Sequence, residues 1–507
     1  MPLHRSLLLA LLAGALNILA FAPFGLWPLQ ILSLAAVLPL ALRAGSGKRS
    51  ALIGWAYGFG WTGCGVYWLY ISMHDFGGMA APVAALAVIL LALCLGGYAA
   101  LAFGLCAWLR QRWQAAPACV ALLIFPALWA LSEWLRGWVF TGLPWVASGY
   151  AHSASPLAGY APLLGVYGLA WIAALIAGCL TLLSTRKAPL ALLLALALLA
   201  AGLCLKTVRW TSAAGQPITV RLLQGNVAQE MKFARDQIRA SLDLYRDLIG
   251  AAPADLIATP ETAIPLLAQQ LPPEYLPQLA DFARRSGSHL AIGIPLGDSP
   301  QRYTNSVIGL APDRSALNYR YDKHHLVPFG EFIPSGFRWF VDLMQIPLGD
   351  FSSGPAVQAP FAVKDQWLLP NICYEDLFGE EIAGQLKASH AAGAPVATVL
   401  LNVSNIAWFG DTVALPQHLQ ISQMRALETG RPMLRATNTG TTAIIDPQGR
   451  VVAQLQPYQR GTLAASVQGM QGMTPYILAG NGALLLLAAL ALAAGWLAGR
   501  KNHSNRA

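Results

Sequence analysis

Long apolar segments separated by short polar loops fill the N-terminal part of the chain. Seven such segments precede residue 206, and an eighth lies close to the C-terminus. Several of them reach the roughly 20 residues that an α-helix needs to cross a bilayer, whereas the first two are shorter. The pattern predicts a polytopic membrane domain of eight transmembrane helices. The predicted segments are 7–21, 29–42, 53–71, 83–105, 120–138, 163–183, 190–205 and 484–497.

Between residues 207 and 474 the pattern changes to short strand-like runs that alternate with segments of helical periodicity. This alternation predicts an α/β domain. The chain is therefore expected to contain a membrane domain with seven helices (1–206), an α/β domain (207–474) and an eighth transmembrane helix with a tail (475–507). Strands are predicted at 218–226, 255–261, 289–294, 304–309 and 397–402, helices at 236–249, 275–285, 380–390 and 413–428, and a hairpin at 441–452.

The composition agrees with a membrane protein that carries a polar domain. Of the 507 residues, 56% are hydrophobic and only 11% are charged, whereas a soluble globular chain has about 25% charged residues. The net charge of +9 could suggest nucleic acid as a partner. However, the basic residues lie largely at the ends of apolar segments and form no block with interleaved aromatic residues, so nucleic acid is not expected as a partner.

Basic residues also predict the orientation in the membrane. If eight helices alternate, five basic clusters fall on one side, which should be the cytoplasmic side. The α/β domain then lies outside the cytoplasm, in the periplasm of a bacterium with an inner membrane. The clusters are Arg5; Arg43, Lys48 and Arg49; Arg110 and Arg112; Arg186 and Lys187; and Arg500, Lys501 and Arg506.

One loop on the opposite side carries two charged residues, Glu133 and Arg136, in an aromatic-rich stretch that extends to Tyr150. Their spacing of three residues allows them to pair on one face of a helix. Two interpretations remain open. The stretch is either an interfacial anchor with an arginine that reaches toward water, or a contact for a lipid headgroup or substrate beside the α/β domain.

Three chemically distinct side chains lie in stretches of the α/β domain where polar residues interrupt apolar, strand-like runs at their C-terminal ends, namely Glu261, Lys323 and Cys373. Taken alone, each has an ordinary structural explanation, and Cys373 in particular has the features of a small core residue. Open α/β sheets place their sites at the carboxyl ends of strands. A carboxylate base, an ammonium group and a thiol together are what acyl transfer through a thioester requires.

The motifs around these residues resemble those of known proteins. The α/β region is similar to the nitrilase, or carbon–nitrogen hydrolase, family, and nearly the whole chain resembles the apolipoprotein N-acyltransferase family. The string from Lys323 to Pro334 is the most specific of these motifs. The others are the segments 21–23, 135–142, 224–226, 259–262, 372–375, 402–405, 407–411 and 437–441.

This resemblance implies an αββα sandwich and a catalytic role for each of the three side chains. Glu261 would be the general base, Lys323 would support the thiolate and the oxyanion, and Cys373 would be the nucleophile. It also implies that a phospholipid donates an acyl chain to the amino group of a diacylated lipoprotein, beside membrane lipid and without a cofactor or metal. The implied supporting residues are Glu331, near Lys323, and Tyr374 and Glu375, which would order the loop of the nucleophile.

Two positions depart from the family pattern. Phe233 occupies a position where a tryptophan is expected, and Ile406 one where nitrilase-like sequences usually carry an acid. The apolar segment 332–351 is expected to form a lid that contacts the membrane, although core packing is an alternative explanation. The predicted substrate-binding residues are Phe233, Trp145, Trp339 and Phe340.

Two other functions are compatible with parts of the chain. A membrane-anchored amidase that hydrolyses small amides would share the triad, but one helix would suffice to anchor it. A transporter with an extracytoplasmic sensing domain would use the membrane helices, but it usually needs ionisable residues at mid-depth, and these are few here. A metal is not expected, because the adjacent His324 and His325 have no partners at ligand spacing.

Overall fold

The structure is a computed structural model that describes residues 1–228, 235–299, 302–313, 319–333, 336 and 351–504. The chain divides into two units. The first comprises Met1–Tyr70, Ala80–Arg209 and Ala479–Ala507, and the second comprises Ile71–Met79 and Trp210–Leu478.

The first unit is helical, and each of the eight predicted apolar segments lies largely in helix. Among the described residues, six helical stretches are long and apolar enough to cross a membrane: Leu3–Ala20, Ala81–Arg112, Pro117–Arg136, Pro156–Thr181, Ala188–Leu205 and Gly482–Arg500. Pro28–Leu42 is apolar but shorter. The helices are α1 Leu3–Leu16, α2 Pro28–Leu42, α3 Gly47–Val66, α4 Ala81–Arg112, α5 Phe125–Arg136, α6 Ala161–Thr181, α7 Ala188–Leu205 and, beyond the second unit, Gly482–Ser504.

The charged pair that was predicted in a loop lies in the last turn of α5 and is buried inside this unit. Glu133 and Arg136 are each 2% exposed, and Arg136 Nη2 lies 3.5 Å from Glu133 Oε2. Arg136 Nη1 donates hydrogen bonds of 2.8 Å to the carbonyls of Leu143 and Trp145, and Glu133 accepts a 2.8 Å bond from the Ser148 N–H. The interpretation of Arg136 as a residue that reaches toward water is therefore wrong, because its guanidinium group holds the following loop instead.

In the part of the second unit that the structure describes, the strands form two six-stranded sheets. The strand order is β13-β2-β3-β4-β5-β6 in the first sheet and β12-β11-β10-β9-β8-β7 in the second, and a short pair, β1-β14, lies apart. The strands are β1 Ser212–Ala213, β2 Ile218–Gln224, β3 Leu256–Ala258, β4 His289–Ser299, β5 Arg302–Leu310, β6 Tyr319–Asp322, β7 Phe361–Val363, β8 Gln366–Ile372, β9 Val399–Ser404, β10 Met433–Thr437, β11 Ala443–Ile445, β12 Val451–Gln454, β13 Gly461–Val467 and β14 Met470–Gln471.

Of the helices within the described ranges, four cover the outer faces of these sheets: α8 Arg235–Gly250, α9 Tyr275–Ser286, α10 Gly379–Ala391 and α11 Ala414–Thr429. One core, which includes Leu222 and Leu368, joins the two sheets. A second core packs the first sheet against α8 and α9, and a third packs the second sheet against α10 and α11. The four layers are those of an αββα sandwich, and the helices predicted in this region lie within one residue of these bounds.

The alternation of side chains along a strand explains why the strands of this sandwich are apolar on both faces. In β8, Leu368 belongs to the core between the sheets, and the next residue, Leu369, belongs to the core under the helices. Successive side chains of a strand point to opposite faces, so a strand covered on both faces has a nearly continuous apolar sequence. Polar residues are then confined to strand ends and to special positions, which is where the candidate site lies.

Candidate active site

Cys373 directly follows β8, at the point where the chain leaves the sheet and enters a 3-10 turn, Cys373–Leu377, which forms the elbow of the site. Its φ of 52° lies in the left-handed region that non-glycine residues rarely adopt. The side chain is partly exposed at the edge of the core between the sheets. A strained backbone at such an elbow is typical of functional sites, because the surrounding structure must hold it in place.

Lys323 follows β6 and is 1% exposed. Its Nζ lies 2.8 Å from Glu331 Oε1 and 3.5 Å from Glu261 Oε1, and both carboxylates are themselves buried, at 8% and 7% exposure. β3 and β4 are parallel, whereas β4–β5 and β5–β6 are antiparallel. Glu261 and Lys323 thus follow the same edge of one sheet, and both carboxylates share one buried cation.

Asn305, which the sequence analysis did not identify, links the same two carboxylates. Its Nδ2 donates hydrogen bonds of 2.7 Å to Glu261 Oε1 and 3.0 Å to Glu331 Oε1. Its backbone carbonyl accepts a 2.8 Å bond from the Lys323 N–H. The polar run Thr304-Asn305-Ser306 inside an otherwise apolar strand is the feature of the sequence that could have indicated this position.

The second oxygen of each carboxylate is held by backbone. Glu261 Oε2 accepts a 2.7 Å hydrogen bond from the Asn405 N–H, directly after β9 of the other sheet. Glu331 Oε2 accepts a 2.9 Å bond from the Val327 N–H within its own loop. Hydrogen bonds from fixed N–H groups orient a carboxylate before any substrate arrives, which is what a general base requires.

The electrostatic balance favours a protonated resting thiol. Loss of water around the sulfur and the nearby Glu261 carboxylate raise the pKa of Cys373 well above its usual value, and Lys323 offsets only part of this shift. Burial alone would lower the pKa of Lys323, but the Glu331 and Glu261 carboxylates outweigh it and hold that pKa well above its usual value. Lys323 therefore stays charged, and Cys373 needs a base to become a nucleophile.

Glu375 joins the loop of Lys323 to the elbow of Cys373. Its Oε1 accepts hydrogen bonds from the backbone N–H groups of His324 (2.7 Å) and His325 (3.3 Å), and its Oε2 accepts from the Ile372 N–H (2.6 Å) and the Tyr321 hydroxyl (3.1 Å). Burial raises the pKa of Glu375 to about 7, although the backbone donors favour the ionised form. The hydrogen bonds of Glu375 thus connect the end of β6 and the loop after it to the end of β8.

The remaining predicted site residues lie in different places. Tyr374 is 8% exposed and packs against His325 and Phe378. Trp145 belongs to the helical unit, where it is 3% exposed and contacts Trp68, and its role in substrate binding stays a prediction. The predicted substrate contacts Phe233, Trp339 and Phe340 lie outside the described residues.

Ile406, at the position where nitrilase-like sequences usually carry an acid, is 1% exposed. It lies so close to Gly440 that a side chain at the glycine would meet its Cδ1 and Cγ1 atoms. The apolar side chain of Ile406 therefore packs against Gly440 at this position. Within the part of the chain that the structure describes, no group of three or more His, Cys, Asp or Glu residues could hold a metal ion.

Two family models match the chain. The model of the apolipoprotein N-acyltransferase N-terminal domain matches residues 13–179, and the model of the carbon–nitrogen hydrolase matches residues 212–476. Among solved structures, an amidase from Nesterenkonia sp. AN1 aligns with 53% of this chain and 98% of its own, with 19% identity and a TM-score of 0.38.

Curated relatives align over nearly the full length. The apolipoprotein N-acyltransferase of Ralstonia nicotianae is 52% identical over 95% of this chain and 92% of its own. That of Bordetella bronchiseptica is 43% identical over 99% of this chain and 98% of its own, and that of Nitrosomonas europaea is 44% identical over 97% of both. With a hydrolase-type domain across the second unit and such relatives across both units, the chain belongs to the apolipoprotein N-acyltransferase family.

Proposed function

We propose that this protein transfers an acyl chain from a phospholipid to the α-amino group of the diacylglyceryl-modified N-terminal cysteine of a lipoprotein, through a thioester on Cys373. The observation that carries the proposal is the cluster of Lys323, Glu261 and Glu331, with a thiol whose pKa both carboxylates raise and Lys323 lowers. The relatives are named apolipoprotein N-acyltransferases, which supports an apolipoprotein as the acceptor and a nitrogen as the acylated atom.

In the first half-reaction Glu261 removes the proton from the Cys373 thiol as the sulfur attacks an acyl ester carbonyl of the phospholipid. The ammonium group of Lys323 stabilises the negative oxygen of the tetrahedral intermediate. The carbon–oxygen bond then breaks, and the lysophospholipid leaves with the proton that Glu261 held. Glu331 and Asn305 keep the Glu261 carboxylate and Lys323 in place throughout, which makes them positioning residues.

In the second half-reaction the amine of the lipoprotein attacks the thioester carbonyl. Glu261 accepts a proton from the attacking nitrogen, the carbon–sulfur bond breaks, and the proton returns to the Cys373 sulfur. A thioester is reactive enough for an amine to attack, and covalent storage lets two bulky lipids use the site in turn. The proposal thus gives ping-pong kinetics.

The test is incubation of the purified protein with phospholipid alone, followed by addition of a diacylated lipopeptide. We expect the mass of the protein to increase by one acyl chain, at Cys373 and in a form that hydroxylamine removes, and to return to its original value when the lipopeptide gains that chain. Transfer with no adduct at Cys373, even when the lipopeptide is withheld, would refute the covalent route. Hydrolysis of small amides without lipopeptide acylation would support the amidase instead.

We further propose that the helical unit crosses a bacterial inner membrane eight times, with seven spans in 1–206 and the eighth in 475–507. Six helical stretches meet the length and hydropathy that a span requires; α2 and α3 would supply the other two, and the 20 residues of Gly47–Val66 suit a bilayer. The five basic clusters support a cytoplasmic location for Arg186 and Lys187. The catalytic domain, 207–474, would then face the periplasm.

The orientation can be measured with a thiol reagent that does not cross membranes. In a variant that retains only Cys373 of the seven cysteines, we expect the reagent to label spheroplasts without lysis. A second variant, with Lys187 replaced by cysteine in the otherwise cysteine-free chain, should be labelled only after the membrane is opened. The reverse pattern in the two variants would contradict the proposed orientation.

A further inference from the structure

A buried histidine lies behind the nucleophile and has no part in the proton transfers described above. His418 belongs to α11 and is 1% exposed. Its Nε2 lies 3.3 Å from the backbone carbonyl oxygen of Cys373, and its Nδ1 lies 3.1 Å from Nη2 of Arg435 on β10. His418 therefore contacts the backbone of the nucleophile, and its second ring nitrogen faces an arginine.

The arginine determines which nitrogen of His418 carries the proton. A guanidinium group only donates hydrogen bonds, so Nδ1 must accept, and the neutral ring then carries its proton on Nε2. From there it donates to the Cys373 carbonyl. Burial and the Arg435 charge both hold the pKa of His418 well below its usual value, which agrees with a neutral ring.

Arg435 is itself fixed by the elbow. Its Nη1 lies 3.3 Å from Oδ2 of Asp376, three residues after the nucleophile, and it also donates to the Ser422 hydroxyl, which in turn donates to Asp376. All these groups are buried. The series of contacts runs from Asp376 through Arg435 and His418 to the Cys373 carbonyl. Its first and last residues, Asp376 and Cys373, both belong to the elbow.

The Cys373 carbonyl is the group through which the surroundings can hold the left-handed conformation of this residue. Its described hydrogen-bond donors are His418 Nε2 and, at 3.4 Å, Nδ2 of Asn402. A carbonyl that rotated away from these donors would change ψ of Cys373 and therefore the position of the sulfur relative to the Glu261 carboxylate. Strained conformations persist only where such contacts over-determine them.

We propose that His418 is a positioning residue that holds the Cys373 peptide, and through it the thiol, in the conformation that reacts with the acyl donor. Its ring exchanges no proton with the substrate. The acyl donor in this inference is the one in the proposed function, whereas the contacts between His418 and Cys373 are independent of it.

Glutamine and methionine replacements separate this role from simple filling of space. An amide carries one acceptor and one donor at about the spacing of the two imidazole nitrogens, so His418→Gln can accept from Arg435 and donate to Cys373 at once. Methionine has a similar length and no donor. We expect His418→Met to slow acyl-enzyme formation by about 10- to 100-fold, as a misplaced reacting group does, with an unchanged half-saturating phospholipid concentration. His418→Gln should remain within about threefold of the wild type.

The reaction of Cys373 with iodoacetamide provides a readout that needs no phospholipid. The rate of alkylation should change in His418→Met and be restored in His418→Gln. The positioning role can therefore be judged even if the wild type forms no acyl adduct. Absence of the acyl adduct would refute only the proposed function. Equal acylation and alkylation rates in both variants and the wild type would overturn the inference, as would a glutamine variant as slow as the methionine variant.

A third measurement covers the case in which the methionine variant does not fold. In the wild-type protein with ¹⁵N-labelled histidine, the signal that disappears in His418→Gln should have the chemical shifts of a neutral ring with its proton on Nε2. A ring protonated on Nδ1 alone, or on both nitrogens, would overturn the inference, because neither can accept from Arg435.

Discussion

Replacing Cys373 with alanine is expected to abolish acyl transfer, lowering its rate by about a millionfold, as removal of a nucleophile from a catalytic unit does. In the proposed mechanism the Cys373 sulfur is the atom that carries the acyl chain. The protein should still fold, because the side chain is small and only partly buried. Transfer should be measured with a labelled phospholipid and a diacylated lipopeptide, together with the thermal unfolding midpoint.

Cys204→Ala is the matched control for this change, because Cys204 is an exposed cysteine of the helical unit. It should keep both the rate and the acyl adduct. Cys373→Ser should be almost as inactive as the alanine variant, since Glu261 would have to activate a hydroxyl group, a far weaker acid than a thiol. An alanine variant that still transferred acyl chains at a rate near that of the wild type would show that the nucleophile lies elsewhere.

Glu261→Gln distinguishes the general base from a merely structural carboxylate. This variant should bind phospholipid and form no adduct, because an amide cannot take the thiol proton. Its thiol should nevertheless become more acidic, since the Glu261 charge raises the pKa of Cys373 in the wild type. The midpoint of iodoacetamide alkylation against pH should therefore shift downward, because a nearby like charge disfavours the thiolate.

Replacing Lys323 with methionine is expected to remove both activity and stability. The change leaves the buried carboxylates of Glu261 and Glu331 without their shared cation. Breaking a buried ion pair in this way costs about 3–5 kcal/mol of unfolding free energy, and acylation should be lost together with the oxyanion support. The pKa of Lys323 is raised in the folded state. The contribution of Lys323 to the unfolding free energy of the wild type is therefore fully present below about pH 10, the ordinary lysine pKa. This contribution is lost as the pH rises further toward the pKa of the folded state.

A second substitution separates the two effects. In Lys323→Met combined with Glu331→Gln, one of the two unpaired charges is gone, so much of the unfolding free energy should return while acylation stays absent. Lys364→Met is the surface control, because Lys364 pairs with Asp255 but is 54% exposed, and exposed pairs contribute at most about 1 kcal/mol. Denaturant unfolding and the acyl-adduct assay measure the two quantities, and a double variant as unstable as the single one would contradict the shared-cation explanation.

The sequence by itself determined the helices of this protein and the positions of the candidate site residues after strands. Apolar segments of membrane-spanning length predicted the helices, and contiguous patterns placed α8, α9, α10 and α11 within one residue of their bounds. The positions of Glu261, Lys323 and Cys373 after predicted strands agree with the structure as well. These features are local, because periodicity and strand-ending polar residues are encoded in neighbouring positions of the chain.

The tertiary structure decided which side chains meet. Asn305 reaches both carboxylates only because β5 lies beside β6. Glu375 accepts a hydrogen bond from His324, 51 residues earlier, and His418 reaches Cys373 only because α11 packs over the elbow. Arg136, for which the sequence left an orientation toward water open, is instead buried and donates hydrogen bonds to the loop that follows its helix. Contacts of this kind join residues that are far apart in the chain, so they depend on the order of the strands in the two sheets and on the packing of helices over them.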